Sequence, residues 1–197
     1  MGYQFLVTLK VHVRDTQFIR HLLICLFMLL PLEARAVGRG SLISPGECVG
    51  KICLEASRNA VQHILGNPAF SKESPNKYLA DVWKSRQGQL LIVVYVKNKV
   101  TDIHLTSASF STGHGVSTSS SFDDIKRNFP MGHEDEYAIF ENGHNRTDWI
   151  VPSQGITFTF SGDLTGPVLR IAVHKKNSIK TVGYSQAESW YWTGLQD

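Results

Sequence analysis

The stretch "PMGHEDEYAIFENGHNRTDW" at 130–149 gathers the side chains best equipped for chemistry: His133, Glu134, Asp135, Glu136, Glu141, His144 and Asp148. Imidazoles among carboxylates can bind a divalent metal or divide general acid and base work between them. The spacing argues against both. His133 and His144 do not fall on one face of a regular helix, and Gly132, Asn142 and Gly143 mark the segment as loop. The expectation is a solvated acidic loop holding no metal and no cofactor, because charge clusters of this kind are usually solvated faces. Hydrolysis or metal chemistry by His133, His144 and Asp148 within 133–148 is the minor alternative. A search for nucleophiles is equally unrewarding. His114 lies within "STGHGVSTSSS", yet the chain has no G-x-S-x-G elbow, and "STGHG" is not followed by the Gly-Lys-Ser/Thr of a phosphate loop. His63 reads as a surface residue of a helix, and His104 and His174 as structural residues at strand ends. The chain is therefore expected not to be an enzyme.

Aromatic residues suggest recognition instead. Tyr78, Trp83, Tyr137, Phe140 and Trp149 are expected in loops before strand hairpins, and "SWYWTG" adds Trp190, Tyr191 and Trp192 near the end. Exposed Trp and Tyr provide large contact area at modest entropic cost. The expected partner-binding set is His133, Glu134, Asp135, Glu136, Tyr137, Trp149, Trp190 and Trp192.

Several features place this protein outside the cytoplasm. The apolar run Leu22–Leu32 follows Arg14, Arg20 and His21 and precedes Ala34-Arg35-Ala36, the three regions of a secretory signal. Residues 1–36 are expected to be removed, which implies an exported protein, periplasmic if the chain is bacterial; an uncleaved signal anchor, and with it membrane attachment, is the alternative. The mature chain would have 161 residues with 16 basic against 15 acidic side chains, no electrostatic footprint for nucleic acid. Cys48 and Cys53 then lie where disulfides persist, and with no second Cys/His pair at ligand spacing a disulfide is expected rather than zinc. Asn145-Arg146-Thr147 is a glycosylation acceptor triplet, without meaning in a bacterial protein.

The elements that must position these residues are set by capping and periodicity. Ser57 caps a helix whose apolar stripe is Val61, Ile64 and Leu65, and Gly66 with Pro68 stops it. Ser120 or Ser121 caps a second, with Phe122, Ile125 and Phe129 as its stripe and Pro130 as its end. Strands are predicted at 90–96 ("LLIVVYV"), from Val100 after a "KNK" turn, at 155–160 ("GITFTF") and at 167–174 ("PVLRIAVH"). Ser57 and Val61 repeat 64 residues later as Ser121 and Ile125; Ile92, Val94 and Val96 repeat as Ile156, Phe158 and Phe160; Val100 and Ile103 repeat at 68 as Val168 and Ile171. A tryptophan, Trp83 or Trp149, precedes the hairpin in each half. The fold class expected is α+β: two related modules, each a short helical segment packed on an antiparallel β-meander, at 37–110 and 120–197 with a serine-rich linker at 111–119.

Val61, Leu65, Gly66, Pro68, Trp83, Val100 and Ile103 in the first half carry a resemblance to a known module. So do Ser121, Ile125, Phe129, Gly155, Ile156, Phe158, Val168 and Ile171 in the second. Their pattern resembles the helix-plus-meander module of bacterial envelope proteins. It is similar to the small lipoprotein of the outer-membrane β-barrel assembly machine and, duplicated, to the β-lactamase inhibitory proteins. The second half departs by ending its helix "NFP" instead of with leucine and glycine. The resemblance implies a protein without catalytic residues that offers a sheet and its loops to another protein. The expected function is thus an inhibitor or immunity protein occluding a secreted toxin or envelope enzyme, with an envelope-assembly accessory role as the alternative.

Overall fold

A computed structural model of the chain describes residues 41–73, 78–139 and 144–178, with 136–139, 144 and 145 described as backbone only. The signal segment 1–36, Phe140, Glu141 and the aromatic tail with Trp190 and Trp192 lie outside the described residues. In chain order the elements are β1 (Ser41–Ser44), β2 (Cys48–Val49), β3 (Ile52–Cys53), α1 (Arg58–Leu65), β4 (Phe70–Glu73), β5 (Tyr78–Lys84), β6 (Leu90–Val96) and β7 (Lys99–Leu105). The second half of the chain adds β8 (Phe110–Thr112), α2 (Phe122–Asn128), β9 (His133–Ile139), β10 (His144–Val151), β11 (Ile156–Ser161) and β12 (Val168–His174).

Both helices start and stop on the residues that their chemistry favours. Ser57 and Ser121 are extended N-caps whose hydroxyls accept from the backbone N–H three residues on. Gly66 closes α1 at φ 78°, a conformation that costs glycine little. Each helix is too short to persist alone and is held by one inward face. Val61 and Ile125 are fully buried, while Ile64, expected in the first stripe, is 45% exposed.

Eight strands form an antiparallel sheet in the order β4-β5-β6-β7-β12-β11-β10-β9. Two meanders, β4–β7 and β9–β12, meet where β7 pairs with β12, Ile103 opposite Val173 and Leu105 opposite Ile171. A smaller sheet, β3-β2-β1-β8, contains the parallel pair β1–β8. The inner face of the large sheet, with Val93, Tyr95, Ile103, Phe158 and Ile171, shares one apolar core with Val61 of α1, Ile125 and Phe129 of α2, and Ile43, Val49 and Ile52 of the small sheet. Residues 111–119, expected as a linker, include the end of β8 and the buried Thr112, Val116 and Ser117.

The outer face differs between the halves. Ala80, Val82, Leu90, Ile92 and Val94 form a separate apolar cluster there. Elsewhere on that face Asp102, His104, Asp148, Thr157, Thr159, Arg170 and His174 are all 5% exposed or less. Ile92 and Val94 thus face away from Ile156, Phe158 and Phe160, which lie in the main core. The 64-residue correspondence read for these strands therefore pairs residues on opposite faces, because side chains alternate with period two and an error of one residue inverts the face. Each meander also has one β-bulge. In β6–β7, Val94 is opposite Asp102 but Tyr95 is opposite Val100; in β11–β12, Thr159 is opposite Arg170 but Phe160 is opposite Val168.

Candidate functional site

The acidic stretch is a β-hairpin and not the loop expected from its glycines. His133–Ile139 pairs with His144–Val151 in an unbroken register, His133 opposite Ile150 and His144 opposite Ile139. Backbone pairing to β10 overrides the low strand propensity of Glu and Asp. The two histidines stand at opposite ends of the hairpin, six residues of strand apart, or roughly 20 Å at about 3.3 Å per residue. Asp148 is opposite Asp135 and is 1% exposed. No metal centre can join residues so placed, and no group of three His, Cys, Asp or Glu suited to a metal occurs among the described residues.

Of the expected partner contacts, His133 and Glu134 are solvent-exposed and Asp135 is half-buried. Glu136 and Tyr137 continue the same strand opposite Thr147 and Arg146. Since β9 ends the sheet, this strand has a neighbour on one side only among the described residues.

Trp149 is a correction: it is a core residue, 8% exposed. Its position opposite Phe158 turns it inward beneath α2, where it meets the Phe122 ring edge-on at 5.1 Å. The indole Nε1–H donates to the Phe129 carbonyl at 3.1 Å, satisfying a helix-end acceptor. A Cβ on Gly132 would collide with the Trp149 ring, so glycine makes room for it. Trp83 and Tyr78 are likewise on a strand, β5, and Trp83 Nε1–H donates to the Gly66 carbonyl at the end of α1. Thr147 of the glycosylation triplet is buried, and its hydroxyl donates to the Gly162 carbonyl at 2.7 Å.

Cys48 and Cys53 form a disulfide across the β2–β3 pair, where they are directly opposite.

Two features escaped the sequence. The first is a buried ion pair. Asp81 is 0% exposed and accepts from Arg58 Nε and one of its terminal nitrogens at 2.8 Å each, from Ser71 Oγ at 2.6 Å and from Gln62 Nε2 at 3.2 Å. The hydrogen bond to Asp81 holds the Arg58 guanidinium above its usual range. Burial, reinforced by the Asp81 charge, pushes the neighbouring Tyr95 hydroxyl up. The second is a cleft of about 500 Å³ between the small sheet, the end of α2 and the β10–β11 turn. Ile43 and Phe129 line its apolar side, with Glu47, His114, Gln154 and Lys176 among its polar groups. No sequence signal marks it, because its wall is drawn from segments scattered from Leu42 to Lys176.

No family model matches this chain, and no curated protein matches it. Several solved structures align with part of this chain at low identity, among them the following. One is an extracellular protein containing an SCP domain from Bacillus anthracis, at 12% identity and TM-score 0.47 over 63% of this chain and 44% of that one. Another is a cysteine-rich secretory protein from Staphylococcus aureus, at 13% identity and TM-score 0.45 over 70% and 49%. A DUF4309-family protein from Bacillus subtilis aligns at 11% identity and TM-score 0.41 over 71% and 90%. The chain thus matches less than half the length of the first two.

Proposed function

We propose that this chain is an exported, periplasmic protein-binding protein that acts as an inhibitor or immunity protein, occluding a secreted toxin or envelope enzyme. The observation that carries this reading is the placement of His133, Glu134, Asp135, Glu136 and Tyr137 on the terminal strand of the large sheet, with His133 and Glu134 in solvent. A sheet edge can accept an extended segment of another protein through backbone hydrogen bonds. Like charges on β9 disfavour pairing with a second copy of itself, so the edge is selective for a cationic partner. Export accords with the disulfide and with the signal-like 1–36.

The reading includes two related modules, α1 with β4–β7 and α2 with β9–β12, in the manner of the duplicated β-lactamase inhibitory proteins. The bulges support it. Shifting Val94/Tyr95 by 65 residues gives Thr159/Phe160, and shifting Val100 and Asp102 by 68 gives Val168 and Arg170, so both slips occupy the same place. With α1 matched to α2 at 64 and β6 to β11 at 65, Arg58 corresponds to Phe122 and Tyr95 to Phe160, and Asp81, opposite Val93, corresponds to Trp149, opposite Phe158. The ion pair of one half then stands where the other has rings packed at 5.1 and 5.8 Å.

A photo-crosslinking side chain at position 134 tests the proposal. It should join one exported protein, and Glu134→Lys with Glu136→Lys should abolish that capture without lowering the melting temperature. Undiminished capture by the folded charge-reversed variant would overturn the edge assignment.

A further inference from the structure

We infer that residues 179–197 of this same chain dock on the outer face of the large sheet. One row of paired residues crosses that face: Val82, Ile92, His104, Ala172, Thr157 and Ile150, on β5, β6, β7, β12, β11 and β10. All six are 5% exposed or less. At about 4.8 Å between strands the row spans roughly 24 Å. A sheet face with nothing on it leaves its side chains in water, so this face has a cover. Both helices and the small sheet pack on the opposite face. The apolar cluster of the outer face draws, among the described residues, only on β4, β5 and β6 themselves.

Length, place and chemistry select the cover. Of the segments outside the described residues, 37–40, 74–77 and 140–143 have four residues each and reach about 14 Å at most. With 1–36 removed, as the signal-like sequence implies, 179–197 is the segment with enough chain: "IKTVGYSQAESWYWTGLQD" can extend to roughly 60 Å. It also starts in the right place. β12 is the fifth of the eight strands, and Asn177 N–H donates to the Pro152 carbonyl at 2.7 Å, so the segment leaves from the middle of the sheet beside the β10–β11 turn. Trp190, Tyr191 and Trp192 combine large apolar rings with one hydrogen-bonding group each. The face offers the same mixture, with the apolar cluster around Val82 and Ile92 adjoining the hydroxyls of Thr157 and Thr159 and the carboxylates of Asp102 and Asp148. On this assignment Trp190 and Trp192, expected as partner contacts, are taken up within the molecule. The inference shares with the protein-binding reading only the removal of 1–36, and the β9 edge does not depend on it, so the two fail separately.

Nuclear Overhauser contacts in the exported protein, with its N-terminus read by mass spectrometry, test the inference. The indole protons of Trp190 or Trp192 should show contacts to the methyl groups of Val82, Ile92, Thr157 or Ala172, and these should prove intramolecular in a sample that mixes labelled and unlabelled chains. In a second measurement Ala172→Cys is placed in the full exported chain, where Cys48 and Cys53 are bridged. It should react with a thiol reagent at least about tenfold more slowly than Met131→Cys, whose position is 75% exposed. Adding Trp190→Ser and Trp192→Ser should remove most of that difference while the cooperative urea transition is retained. Contacts between different chains, contacts from a retained 1–36 in place of 179–197, no contact from either indole, or unchanged protection in the doubly substituted chain would each overturn the inference.

Discussion

Replacing Arg58 with leucine strands the carboxylate of Asp81 inside the fold. Asp81 is 0% exposed, and of its four hydrogen bonds two come from Arg58, leaving only Ser71 and Gln62. Removing one partner of a buried ion pair costs about 3–5 kcal/mol, and the lower end applies here because the Arg58 side chain is 30% exposed and two neutral donors remain. For a domain of this size, about 3 kcal/mol lowers the melting temperature by roughly 6–12 °C. Asp81→Leu should cost less, since Arg58 can turn its head to water. The double variant should be more stable than Arg58→Leu alone, with a coupling of about 2 kcal/mol or more. Urea unfolding of the parent, both single variants and the double variant measures this directly. Additive losses, or an Arg58→Leu loss below about 1 kcal/mol, would refute the claim that Asp81 is a buried carboxylate dependent on Arg58.

Gly132→Ala should destabilise the fold by about 1–3 kcal/mol, because the added methyl occupies space held by the Trp149 ring. The urea midpoint and the indole N–H resonance of Trp149 report it, and an unchanged midpoint would contradict the packing described. Burial, with Arg170 and His174 nearby, holds His104 well below the ordinary value of 6.5, and burial also lowers His174 against the opposing backbone bonds to Lys175 and Ile156. The unfolded chain thus takes up these protons first as pH falls. Their stabilising effect is full above about pH 6.5 and declines below it. The urea midpoint should be lower at pH 5 than at pH 7.5, and His174→Gln should shrink the difference.

Local chemistry was legible where one residue type decides the outcome. Ser57, Gly66 and Ser121 marked the helix ends, and the β-branched runs at 90–96 and 168–174 matched their strands. "HEDEYAI" was not legible as a strand, because an edge strand held by backbone pairing need not bury every second side chain and so leaves no period. The face of each strand was equally hidden. Thr157, Thr159 and Arg170 are as buried as the apolar residues between them, so polarity does not separate inside from outside. In the small sheet, β2 and β3 have two residues each, and β1 finds its parallel partner β8 only through tertiary contact. The cleft depends on that same distant pairing, which places Ile43 and Thr112 side by side.

The seam between β7 and β12 has a consequence for molecularity. Two four-stranded meanders joined antiparallel about His104 and Ala172 meet as the subunits of a two-fold dimer do. Here the chain running from Leu105 to Phe122 ties them together, so the seam closes as an intramolecular step at a high effective concentration. An equivalent sheet assembled from two separate chains would dissolve on dilution. This one keeps its eight strands at any concentration at which the chain is made.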